Sequence, residues 1–198
     1  SYFDSKVGEL VQVLEESGQL DNTVVIVTAD HGDMLGERGL WYKMNFFEHS
    51  ARVPLIMAGP GIVRTEVADP CSLVDILPTL LDLAGEPNPS YGEPIDGRSL
   101  APQARGEAAN DEAVAIGEYC AEMTPWPVLM IRRGDYKYIH CDVDPPQLFD
   151  VVADPYEMTN LVDAPAHVER VAAFAAEVAG RWDSAAIRAD VIATQHQR

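Results

Sequence analysis

The sequence predicts an α/β fold in which part of a mostly parallel sheet with flanking helices is followed by a small antiparallel sheet packed with a helix. Three features carry that expectation. An amphipathic stripe runs through a short turn into a β-branched segment, that segment ends in ionisable residues, and beyond residue 110 the pattern changes to short strands and one Ala-rich helix. With 198 residues and 47% hydrophobic content, the chain can bury one sizeable core, or one core plus a smaller layer. The expected division is 1–110, the α/β part, and 111–198, the antiparallel part with its C-terminal helices.

From Tyr2 to Leu20, apolar residues recur at Phe3, Val7, Leu10, Val11 and Leu14 with charges between them, the stripe of an amphipathic helix. Gly18 and Asp21-Asn22 supply its stop. The run Thr23–Thr28 is β-branched without alternation, which suits a strand covered on both faces, as in a parallel sheet. A second apolar run, Val53–Ala58, ends in Gly59-Pro60-Gly61, a strand-to-turn signal. Ser72–Ala84 has helical spacing at Leu73, Ile76, Leu77, Leu80 and Leu81, with Pro78 either kinking it or dividing a first turn from the main helix. Gly85–Gly97 reads as a surface loop and Ala101–Asp111 as a polar linker. Ala113–Glu118, Val128–Arg132, Tyr136–His140 and Leu148–Val151 are short strands, with Gly134-Asp135 a tight hairpin turn. Pro165–Trp182 places Val168, Val171, Phe174, Ala175 and Val178 on one helical face, and helical spacing continues to the C-terminus through Ile187, Val191 and Ile192.

A formal charge of −18 excludes nucleic acid and anionic membrane surfaces as natural partners. It serves solubility and is also compatible with a cationic substrate. No apolar stretch approaches the roughly 20 residues that span a bilayer. Neither a leader pattern nor an initial Met is present, so the chain is expected to be a portion of a longer protein. Cys71, Cys120 and Cys141 are odd in number and lack CxxC spacing, which points away from a disulfide framework and towards a cytoplasmic location.

The chemistry concentrates in two segments. Asp30-His31-Gly32 follows the β-branched strand directly, at the strand end where α/β folds place ligands. Adjacent carboxylate and imidazole groups can ligate one divalent metal, while the glycine allows close backbone approach. The same residues would also suit a helix-capping aspartate and a turn histidine. The segment Gly36–Arg52 is too long for a plain connector. Its Lys43 lies among aromatic residues, either as the cation for a sulfate or phosphate group or with its stem laid over apolar surface. His49 and Arg52 are open between function and structure, Arg52 being placed to pair with Glu48.

The run ADHGDMLGERGLWYKMNFFEHSARVPLIMAGPG resembles the sulfatase branch of the alkaline-phosphatase superfamily, and its wording is similar to that of choline sulfatases. VDILPTLLDLAG, DGRSL, YKYI and LFDVVADPYEMTNL continue the likeness downstream, as do Ala121–Trp126 and the RWD at 181–183. The resemblance implies an alkaline-phosphatase-like sheet. It implies Asp30 and His31 as metal ligands, Lys43 as the group that binds the substrate's sulfate, and Glu118 as a carboxylate near a substrate ammonium. Trp126 or Tyr119 would be candidates for a cation–π contact with that ammonium.

The sequence also departs from the family. None of the three cysteines stands in the Cys-x-Pro/Ala-x-Arg context that yields the formylglycine nucleophile, and the early metal-binding aspartates have no counterpart. The resemblance therefore implies a C-terminal fragment, inactive by itself, of an enzyme hydrolysing a sulfate ester, choline sulfate foremost. It would use calcium, or else magnesium or manganese, with formylglycine supplied by an N-terminal part. A phosphodiesterase or phosphonate monoester hydrolase of the same superfamily is the nearest alternative. A non-catalytic module for oligomerisation or cation binding is the alternative of another class. An incomplete sheet exposes apolar edges, so association into homo-oligomers is expected.

Overall fold

A computed structural model describes residues 1–86, 92, 94–107, 110, 112–122 and 124–196. In chain order the elements begin with α1 (Tyr2–Glu16), β1 (Val25–Thr28), β2 (Met34–Leu35), β3 (Trp41–Tyr42), α2 (Glu48–Ala51) and β4 (Leu55–Ala58). They continue with α3 (Ile76–Leu83), α4 (Ala101–Ala104), β5 (Val114–Tyr119), β6 (Val128–Arg133), β7 (Tyr136–Cys141) and β8 (Asp144–Asp150), then α5 (Val168–Arg181) and α6 (Ser184–His196). None of the described helices is long and apolar enough to cross a membrane. The chain forms two compact units, one of Ser1–Asp30, Val53–Ala68 and Leu73–Ala109, the other of His31–Arg52, Asp69–Ser72 and Asn110–Arg198.

In the first unit, α1 forms as its periodicity predicts, with Ser1 accepting from the Asp4 amide at its start, but it buries none of its residues. Tyr2, Phe3, Leu10 and Val13 all stand exposed. β1 and β4, the two apolar runs of the first unit, pair antiparallel, with Thr28 opposite Leu55 and Val25 opposite Ala58. The physical reason lies in the connection. A parallel pair needs a crossover from one end of the strands to the other, whereas residues 29–54 leave and re-enter at the same end of this ladder. Gly59 allows the ladder to close, since a Cβ there would stand 2.6 Å from the Thr23 carbonyl oxygen.

The helix expected over 72–84 divides into a 3-10 turn (Leu73–Asp75) and α3, with Pro78 in the first turn of α3, where its missing N–H costs nothing. Thr79 and Asp75 are buried and bind the segment 96–100. The Thr79 hydroxyl donates to the Asp75 carbonyl at 2.6 Å and accepts from the Leu100 amide at 2.8 Å, while Asp75 Oδ1 accepts from the Arg98 amide at 2.8 Å. The linker expected over Ala101–Asp111 contains α4 instead, with Ala101 and Gln103 buried, because this hydrogen-bonded anchor brings the chain onto α3. Residues 108, 109 and 111 lie outside the described set, as do 87–91 and 93 of the expected Gly85–Gly97 loop.

The second unit is built on the antiparallel sheet β5-β6-β7-β8, the meander expected from sequence. Gly134 takes φ +53 in the tight turn that joins Arg133 to its partner Tyr136. One face buries Leu129, Ile131, Tyr138 and Leu148 against Phe174 and Val178 of α5, with Tyr138 and Phe174 stacked at 5.5 Å between centroids. The opposite face presents Ile139, Phe149 and Val151, against which Phe46 and Phe47 pack. Gly117 of β5 makes room for them: a Cβ there would meet the Phe46 ring at 2.5 Å.

Arg133 and Arg181 both donate to Glu177 of α5, at 3.0 Å and 2.8 Å, and the Arg133 hydrogen bond foremost holds this carboxyl below its ordinary value of 4.5. A carboxyl lowered on folding adds stability above its unfolded value and loses it as pH falls through the folded one. Glu177→Gln should therefore cost about 1 kcal/mol at neutral pH and almost nothing well below pH 4.5. Urea melts of both proteins at the two pH values check this, and an equal cost at both would refute it.

Candidate functional site

His31 and Lys43, implied separately by the sequence, come together in the second unit. Lys43 Nζ lies 2.7 Å from His31 Nε2. His31 Nδ1 lies 2.8 Å from the Gly32 carbonyl oxygen. A carbonyl can only accept, so this contact places the imidazole proton on Nδ1 and leaves the Nε2 lone pair facing Lys43, which donates to it. Gly32 is needed for close approach rather than for an unusual φ. A Cβ there would lie 2.1 Å from the His49 carbonyl oxygen, and its amide donates to the Ser50 carbonyl at 2.8 Å.

The segment that carries Lys43 is held in uncommon conformations. Arg38 has φ +55 and Tyr42, immediately before Lys43, φ +68. Such values cost on the order of 1–3 kcal/mol each and persist only where the surroundings impose them. The β2–β3 pairing (Met34 with Tyr42, Leu35 with Trp41) and the Ser50 hydroxyl, which donates to the Lys43 carbonyl at 2.7 Å, supply part of that constraint. Lys43 itself is exposed and His31 half-buried.

The other residues singled out from the sequence have surroundings of their own. Asp30 is exposed at the C-terminal limit of the first unit, one peptide bond before His31. Glu118 is exposed on β5 and accepts a hydrogen bond from the Trp182 indole N–H. Its negative charge, after burial, is the second cause that raises the Cys120 thiol above its ordinary value. Trp126 has its ring face taken by the Arg188 guanidinium, 5.2 Å from the ring centroid, and the Tyr119 hydroxyl donates to the Glu122 carbonyl at 2.8 Å. Trp126 and Arg188 line a pocket of about 210 Å³ with Cys120, Val191 and Ile192. His49 stacks on Tyr156, and Arg52 reaches Glu48 at 3.8 Å, the pairing its position suggested.

A divalent cation is the group that the resemblance implies beside Asp30 and His31. The donor chemistry fits: a neutral imidazole with Nδ1 fixed by a carbonyl and Nε2 free of a proton is the form that ligates metals. The donor set of this chain is partial, because among the described residues no three His, Cys, Asp or Glu side chains gather into a group that could hold an ion.

Residues that motif reading missed lie beneath the Lys43 segment. Lys137 of β7 is buried, with Nζ 2.7 Å from Glu48 Oε1, 2.6 Å from Glu157 Oε1 and 2.7 Å from the Phe46 carbonyl oxygen. Glu157, also buried, accepts from the Glu48 amide at 2.7 Å. The signal was present in the sequence as a lysine held between two aromatic residues, Tyr136 and Tyr138.

Known proteins resemble the chain in sequence and in fold. The sulfatase family profile matches residues 1–86. A choline-sulfatase of Rhizobium meliloti (strain 1021) is 46% identical over the whole chain, which spans 39% of that relative's length. A solved 2-O GAG sulfatase superposes with TM-score 0.76 at 31% identity, over 89% of this chain and 39% of that one. A phosphonate monoester hydrolase of Agrobacterium radiobacter superposes with TM-score 0.75 at 27% identity, over 89% and 38%. With the sheet, the helices and the segments 29–61 and 74–100 all in keeping with that assignment, the chain belongs to the sulfatase family.

Proposed function

We propose that this chain is the C-terminal part of a metal-dependent sulfatase that hydrolyses choline sulfate to choline and sulfate. The observation that carries the reading is the Lys43–His31 contact at 2.7 Å, a cation beside a metal-competent imidazole in a conformationally constrained segment. The 46% identity to a choline-sulfatase supports the substrate.

In this reading Asp30 and His31 hold a divalent ion, calcium foremost, with magnesium or manganese as alternatives. When bound, that ion neutralises charge on the sulfate oxygens. Lys43 then places its ammonium on the sulfate group where negative charge develops, exchanging His31 Nε2 for a sulfate oxygen as its acceptor. His31 keeps its ring oriented through the Nδ1–Gly32 hydrogen bond, so its lone pair stays aimed as Lys43 moves away. Glu118 provides a negative charge for the substrate's quaternary ammonium. Its partner, the Trp182 N–H, is neutral and leaves that charge uncancelled, and no salt bridge reaches Glu118 among the described residues. The nucleophile, a formylglycine, belongs to an N-terminal part of the enzyme, so the present chain alone should show no turnover.

The test uses the protein with its complete catalytic domain, assayed against choline sulfate and an aryl phosphonate. A clear preference for the phosphonate would sink the sulfatase reading in favour of phosphonate monoester hydrolysis, the activity named for one structural relative. Glu118→Gln should raise KM for choline sulfate about tenfold, the loss of one partly solvated charge contact. It should leave KM for an uncharged aryl sulfate within about twofold, because only the ammonium would sense the lost charge. Equal effects on both substrates would remove Glu118 from the ammonium site.

A further inference from the structure

The buried cluster of Lys137, Glu48 and Glu157 has no part in the chemistry above, yet it touches the Lys43 segment from both sides. Glu157 is the common point. Its backbone carbonyl accepts from the Arg38 guanidinium, five residues before Lys43. Its carboxylate accepts from the Glu48 amide at 2.7 Å, five residues after Lys43. Lys137 joins the two carboxylates at 2.7 and 2.6 Å and also binds the Phe46 carbonyl, so the C-terminal limb of the segment is tied by both main chain and side chain.

Apolar packing repeats the same geometry. The Arg38 guanidinium lies over the Phe47 ring at 4.3 Å from its centroid and near Phe149 at 5.7 Å, and Phe47 meets Phe149 edge-on at 5.9 Å. Glu157 itself holds φ +55, a backbone state that sterics disfavour for a non-glycine residue. A buried ionic group at such a position adds little net stability compared with an apolar substitute.

Resting on the reading of Lys43 as the sulfate-binding group, we propose that Glu157 and Lys137 are positioning residues that clamp both limbs of the Lys43 segment to the four-stranded sheet, so that the ammonium is preset for the substrate's sulfate. The clamp acts through Lys43 and touches neither substrate nor metal. Displacement of a catalytic group by about 1 Å can cost up to about 100-fold in rate, so loosening either limb should be seen in catalysis.

The test is a pair of double-mutant cycles in the protein with its complete catalytic domain, with an aryl sulfate as probe. Glu157→Ala removes the carboxylate. Arg38→Met, at an exposed position, removes the other limb's tether and serves if the first variant does not fold. Each should lower kcat/KM about 10- to 100-fold beside Lys43, and less than about twofold in a Lys43→Ala background, since the clamp has nothing left to position. Equal losses in both backgrounds, or no loss in either, would overturn the clamp. Full activity of Lys43→Ala alone would instead overturn the reading of Lys43. Amide exchange over residues 38–47 gives a readout independent of catalysis. It should quicken about tenfold in both variants while β6 and β7 stay protected, and unchanged exchange overturns the clamp whatever the activity does.

Discussion

Lys43→Ala should lower kcat/KM for a sulfate ester by about 100- to 1,000-fold, the range seen when one preorganised donor to a developing oxyanion is lost. The lysine's own environment argues for so large an effect. It is exposed and pairs with no carboxylate among the described residues; its ammonium donates to the His31 Nε2 nitrogen at 2.7 Å. Its ammonium is thus held near its working position by a contact that a sulfate oxygen can replace at little cost. Lys43→Arg should recover only a part of the activity, because a planar guanidinium cannot bring its charge to the same point as a compact ammonium. Because Lys43 contributes no buried packing, the variant's urea midpoint should change by no more than about 0.5 kcal/mol equivalent. Kinetics and melts on the same preparations check both halves. Retained activity would dismiss Lys43, and a collapsed melt would reassign it to structure.

The division between what could and could not be read from sequence follows from what periodicity encodes. The strand runs and the helix over 165–182 announced themselves because their apolar spacing reports which face is buried, and β5–β7 with α5 formed close to where that spacing placed them. β8 begins at Asp144, four residues before the expected Leu148, where Pro145 and Pro146 hid it. The direction of β4 beside β1 was illegible, because an apolar run reads alike in either direction and only the returning connection decides. Residue type and resemblance named Asp30, His31, Lys43 and Glu118 one at a time. The structure adds the pairings, His31 with Lys43 across 12 positions and Glu118 with Trp182 across 64. Lys137 escaped because a lone lysine in a strand ordinarily faces water. Its partners Glu48 and Glu157 lie 89 residues before it and well after it, on segments that meet only once β7 and β8 are paired.

That lysine carries the other large expectation. Lys137→Met should destabilise the chain by about 3–5 kcal/mol, because it leaves buried carboxylate charge without its counterion. The side chains of Lys137 and Glu157 are each only 2% exposed, and that of Glu48 17%, so water can compensate little. The cost lies in the unpaired carboxylates rather than in a lost bond, and a second variant separates the two. Replacing all three residues together, Lys137→Met with Glu48→Gln and Glu157→Gln, removes every charge while keeping volume and the acceptor for the Glu48 amide. Replacing a whole buried ion pair by well-packed groups of similar volume is often neutral or stabilising by about 1–4 kcal/mol relative to the intact pair, whereas removing one partner alone is not. The triple variant should therefore recover more than half of the urea midpoint lost by Lys137→Met alone, with the slope unchanged. If the triple variant is as unstable as the single one, the packing of the lysine stem outweighs its charge. If Lys137→Met costs less than about 1 kcal/mol, the cluster is more hydrated than its 2% exposure implies. A clamp made of such ions would then be too soft to hold the Lys43 segment in place.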